Sequence, residues 1–212
     1  MVVLVGEVND RLISELAQSG NVSVARAPDK KDRPAWETGA LALREAAKLR
    51  STYVVVADDP LADVAASWRA MWDLSGGPGA AAEFERAASE ALAAWRAKKF
   101  ELPDFYLVAV KASEQAPGPD LYLGPLRSVR SHRVALAVTE LGPSGIVSGG
   151  LVAGTAGAGS GLTASAPTAS SDQVARVVRA LRSLEHGPWW PPLDELLDAT
   201  RRFYPGALAE TS

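Results

Sequence analysis

Three carboxylates close two runs of the same design. Val2-Val3-Leu4-Val5 stops on Gly6-Glu7, and Val54-Val55-Val56 stops on Ala57-Asp58-Asp59. Buried parallel strands read as such β-branched runs, and ligands of open α/β sheets gather beyond the carboxyl ends of the strands. Glu7, Asp58 and Asp59, with Asp10 and Asp63 close by in sequence, are therefore candidates for one acidic rim. Such a rim suits Mg²⁺, which takes one or two carboxylates and keeps several waters. The metal would polarise a phosphoryl oxygen and orient water, which is chemistry on a phosphate-containing small molecule or nucleotide. The same acids have a plainer use in capping helices and favouring their positive ends.

A glutamate after the first strand and aspartates after the third resemble the Toprim pattern of DNA-handling enzymes, over Met1 to Pro60. Glu7 follows a glycine instead of preceding one, and Asp58-Asp59-Pro60 is not Asp-x-Asp. Both motifs depart, and no family is assigned on them.

Three other groups of residues could bind something. Arg127, Arg130 and Arg133, with His132 among them, sit in what reads as a turn, and the arginine fork suits phosphate or carboxylate. Their simpler reading is a solvated polar face, as for Arg176, Arg179 and Arg182 on a later helix. The charge-free, glycine-rich stretch 141–171 could cradle phosphate on backbone N–H groups. It has neither the Gly-Lys-Ser/Thr ending of a P-loop nor a dinucleotide fingerprint joining strand to helix, and its simpler reading is a strand and a small-residue loop. Finally, Trp189-Trp190 stands between prolines, with Phe203-Tyr204 at the end of the helix that follows. Adjacent tryptophans cannot both point inward from one regular face. One exposed ring beside proline is a common interface anchor, whereas a linker folded back would use both rings to cover the core.

The elements that must position these groups alternate as βαβα through the first hundred residues. Val2–Val5 predicts the first strand, and a helix follows, capped by Asn9 or Asp10, with Leu12, Ile13 and Leu16 inward. Val22–Val24 begins a second strand, 35–50 a second helix, and Tyr53–Val56 a third strand. Pro60 marks the next helix entry, and an alanine-rich helix spans 80–98. Beyond residue 102, Phe105–Val110, Leu121–Leu126, Val134–Val138 and Ile146–Val152 read as strands joined by short turns, which favours antiparallel neighbours. Two helices close the chain, from about Ser171 to Leu184 and from near Pro192.

Composition removes several classes. The 212 residues are 47% hydrophobic and 22% charged, ordinary for a globular core. A net charge of −3 argues against general nucleic-acid binding, which needs a basic excess. With no cysteine there is no disulfide framework, thiolate nucleophile or cysteine metal site. His132 and His186 are the only histidines, so no zinc spacing is recognisable and a Ser-His-Asp triad would have to use one of them. Leu, Ile and Val are too sparse in 141–171 for a membrane span. Met1 leads straight into a strand-like run without secretory-signal features, and a cytoplasmic protein is expected.

The sequence therefore predicts a single α/β domain over 1–212, divisible near residue 100. It has a flavodoxin- or Rossmann-like parallel first half, then antiparallel hairpins and two C-terminal helices. The leading functional expectation is a non-catalytic binding, scaffolding or accessory protein without a cofactor. It would recognise a protein partner, a second copy of itself or a small ligand, with Trp189, Trp190, Phe203 and Tyr204 as partner-binding residues. The alternative is a Mg²⁺-dependent enzyme using Glu7, Asp58 and Asp59, with Arg127, Arg130 or Arg133 holding the anion; no catalytic residue is named for it.

Overall fold

A computed structural model describes residues 1–6, 8–28, 32–72, 79–111, 120–140 and 169–203. In chain order these form β1 (Val2–Gly6), α1 (Asp10–Ala17), β2 (Val22–Ala25), α2 (Ala35–Ala46), β3 (Tyr53–Val56), α3 (Ala62–Trp72), α4 (Ala80–Arg96) and β4 (Phe105–Lys111). A π-helix (Tyr122–Leu126), the single turn α5 (Arg127–Val129) and a 3₁₀ turn (Ser131–Arg133) lead to β5 (Val134–Glu140). The helices α6 (Ala169–Arg182) and α7 (Leu193–Phe203) follow.

The five strands make one sheet in the order β2-β3-β1-β4-β5, and every pairing is parallel. Strands of this kind are buried on both faces, and alternate residues serve opposite cores. Val3, Val5, Tyr106, Val108 and Val110 pack under α2, α3, α4, the π-helix and α7. Val2, Leu4, Phe105, Leu107 and Ala109 pack under α1 and α6. The sheet combines strands from both sides of residue 100, since β1 lies between β3 and β4.

β1 and β3 are neighbours and run the same way, the arrangement that a rim shared by the ends of these two strands needs. The detailed order is neither the flavodoxin 2-1-3-4-5 nor the Rossmann 3-2-1-4-5 arrangement. The expected hairpins are also replaced, because β4 and β5 pair in parallel. The cause lies in the segment read as a strand at Leu121–Leu126. Asp120 accepts the N–H groups of Tyr122 and Leu123 at 2.8 and 2.9 Å and starts a helical turn. All of Tyr122–Leu126 is buried. A short apolar run buried all round has no periodicity to separate helix from strand. The turn then serves as part of the crossover that a parallel pair requires. The expected strand Ile146–Val152, with most of the stretch 141–171, lies outside the described residues.

Two close approaches fix the carboxyl edge of the sheet. Gly6 adopts φ +89°, and a Cβ there would lie 2.3 Å from the Ala109 carbonyl oxygen. A Cβ on Gly39 would lie 2.3 Å from the Pro60 nitrogen, so α2 rests directly on the turn after β3. Glycine is the residue that permits both.

Candidate functional site

Chain direction diverges at the carboxyl edge between β1 and β3. From β1 the chain passes to α1 on one face, and from the neighbouring β3 it passes to α3 on the other. Such a divergence is where open α/β sheets bind ligands. Asp58 and Asp59 lie in the turn after β3, both buried. Glu7 lies outside the described residues. Asn9 caps α1 by accepting the Leu12 N–H at 2.8 Å. Asp10, 93% exposed, pairs with Arg26 at 3.0 Å. Asp63 accepts the Ala35 N–H at 2.8 Å at the start of α2.

The two central carboxylates bond inward. Asp58 accepts the Ala27 N–H at 2.7 Å, tying the end of β2 to the turn after β3. Asp59 accepts the Leu61 N–H at 3.0 Å and the Tyr106 hydroxyl at 3.2 Å through one oxygen, and the Tyr122 hydroxyl through the other. Burial lifts the Asp59 carboxyl from 3.8 to about 6, against the opposing pull of Tyr122, Leu61 and Tyr106. Burial also pushes both phenols well above their ordinary value of 10, and the facing Asp59 adds to the effect. Among the described residues no three His, Cys, Asp or Glu side chains are grouped to hold a metal. The tyrosines were missed in the sequence, although each interrupts an apolar run. A buried tyrosine needs a partner for its hydroxyl, and that was the available signal.

The opposite edge brings together the arginine and tryptophan groups that the sequence treats separately. Arg133 directly precedes β5 and is 4% exposed. Its guanidinium donates to the carbonyls of Asp104, Gly187 and Pro188 at 3.0, 2.6 and 3.0 Å. It also lies over the Phe105 and Trp189 rings, 5.0 and 4.7 Å from their centroids. Arg130 donates to the Trp189 carbonyl at 2.9 Å, and His132 Nε2 is 2.8 Å from the Pro188 carbonyl oxygen. The basic residues therefore bind the strap 187–189, and Arg133 faces carbonyl groups and rings. Arg127 is exposed.

The tryptophans divide as adjacency requires. Trp190 is buried, donates its indole N–H to the Pro103 carbonyl at 2.8 Å and meets the Tyr106 ring edge-on at 5.9 Å. Trp189 is 53% exposed. Phe203 is exposed at the end of α7, and Tyr204 lies outside the described residues. Between α5 and α7 runs an open groove of about 430 Å³, lined by Val129, Arg130, Pro191, Glu195, Asp198, Ala199 and Arg202. Five of these belong to the aromatic-tail segment and two to the basic segment. Of these lining residues the sequence singles out Arg130 alone.

Among the described residues the fold is α/β with a wholly parallel five-stranded sheet. No family model, curated protein or solved structure matches the chain. Among the described residues no helix is long and apolar enough to cross a membrane.

Proposed function

We propose that this protein is a non-catalytic binding or accessory protein that recognises a protein partner at the junction of the 187–190 strap, α5 and α7. The observation that supports this reading is Trp189, a large apolar side chain half exposed yet held in place. Arg133 stacks on its ring and Arg130 bonds its carbonyl. A tryptophan immobilised before binding loses little conformational freedom on contact, which makes it an effective anchor. The neighbouring groove supplies a concave surface beside that anchor. At the carboxyl edge, by contrast, Asp58 and Asp59 direct lone pairs to donors within the protein, and this favours recognition over Mg²⁺ chemistry.

The test is co-purification from the producing cells, with sedimentation of the purified chain, comparing wild type with Trp189→Ala. The proposal expects an associated partner that the variant loses while its thermal melt is retained. Equal association in both proteins would overturn it.

A further inference from the structure

The strap that leads into α7 has a periodicity of its own. Gly187, Trp190 and Leu193 face the protein at steps of three. A Cβ on Gly187 would lie 2.5 Å from the His132 ring, while Trp190 and Leu193 are 5% and 0% exposed. The residues between them turn outward: Pro188, Trp189 and Pro192 are exposed and Pro191 is half-buried. Three residues per turn is the repeat of the polyproline II helix. Its cause is local, because proline fixes its own φ at about −65° and confines the residue before it to extended backbone. Pro188, Pro191 and Pro192 thereby restrain every position from 187 to 192 except Trp189, whose carbonyl Arg130 holds. The polar backbone is committed inward. Arg133 donates to the Gly187 and Pro188 carbonyls, His132 shares the second, and the prolines have no N–H. The outer side therefore offers a partner rings and few hydrogen bonds, which is unsuited to strand addition.

We propose that the outward side of 188–192 is a polyproline-type ligand, read by a partner protein that carries an aromatic-lined, proline-binding groove. This rests on the partner-binding reading and names the class of partner. A threefold helix has three ridges, and the protein's own body covers the one made by Gly187, Trp190 and Leu193. The ridges Pro188–Pro191 and Trp189–Pro192 are left for the groove. Proline rings and a tryptophan held by Arg130 and Arg133 are ordered before contact, so docking costs little conformational freedom. Neither ridge carries a charged side chain, so affinity should depend little on salt.

The experiment is biolayer interferometry of the immobilised full chain against purified proline-reading domains: an SH3, a WW and an EVH1 domain. At least one should bind saturably, with affinity changing less than about twofold when salt is raised to about 0.5 M. Pro188→Ala and Trp189→Ala should each weaken that binding by about tenfold, with their thermal melts retained. Pro188→Ala keeps the carbonyl that Arg133 and His132 hold, so it reports on the ridge even if Trp189→Ala loosens the strap. No binding by any of these domains, binding indifferent to Pro188→Ala, or binding abolished by salt would overturn the inference. Concentration-dependent self-association in sedimentation, lost in Trp189→Ala, would also overturn it by assigning the strap to a second copy. In any of these cases, partner loss in the co-purification of Trp189→Ala would leave the broader reading standing.

Discussion

The two edges of the sheet handle charge in opposite ways. At the carboxyl edge, Asp59 is enclosed by two tyrosine hydroxyls and a backbone N–H, and Asp58 is spent on the Ala27 N–H. At the amino edge, Arg130 and Arg133 bond backbone carbonyls, which orient a guanidinium without neutralising it. A carboxylate surrounded by hydroxyls is a structural tie whose cost is desolvation. An oriented cation at the surface remains available to an anion. The general rule for open parallel sheets points to the carboxyl edge, whereas the partner surface proposed above is at the other end.

Four substitutions break or sharpen this contrast. The largest effect belongs to Trp190→Ala, which removes a buried ring touching Tyr106 and the Pro103 hydrogen bond. The loss should be about 4 kcal/mol in chemical denaturation. A loss under about 1 kcal/mol would mean that the strap is not part of the core.

Asp59→Asn tests the carboxyl edge through pH. The folded carboxyl, at about 6, lies above its ordinary 3.8, so the folded chain binds the proton more tightly. That contribution to stability is present in full below 3.8 and is lost as pH rises through about 6. The stability of Asp59→Asn relative to wild type should therefore rise by about 3 kcal/mol between pH 3 and pH 8. Denaturant melts across that window would refute the burial account if the two proteins stayed parallel.

Arg133→Met tests the strap from below, since it removes the donor to the Asp104 and Gly187 carbonyls, leaves the Pro188 carbonyl to His132 and uncovers two rings. It should cost about 3 kcal/mol and speed amide exchange in 187–190. Unchanged exchange would show that the strap is held without it. The smallest stability effect is expected for Trp189→Ala, under about 1 kcal/mol because the ring is half exposed. Its difference from the neighbouring Trp190 measures how far one residue divides core from surface, and similar losses at both would erase the distinction.

How far the sequence disclosed all this follows from periodicity. The βαβα half was legible because Val2–Val5 and Tyr53–Val56 are strand-like runs between capped helices, with Asn9 at the first cap. The side-by-side placement of β1 and β3 was also within reach. Leu121–Leu126 was not, because a run buried on every side lacks the alternation that identifies a strand. Losing that element meant losing the crossover, and with it the parallel pairing of β4 and β5. At the site, adjacency alone required the two tryptophans to part. It could not reveal that Arg130 and Arg133, more than fifty residues away in sequence, hold the backbone beside them. Contacts across that separation are set by the sheet order, which no local pattern carries.

The most direct test places a photo-cross-linking amino acid at one of two positions in otherwise identical chains, replacing Trp189 at the amino edge or Asp10 at the exposed rim of the carboxyl edge. Both are irradiated in the producing cells and the adducts compared by mass spectrometry. Recognition at the strap predicts a discrete protein adduct from position 189 and none from position 10. An adduct confined to position 10 would move the functional surface to the acidic edge and contradict the account.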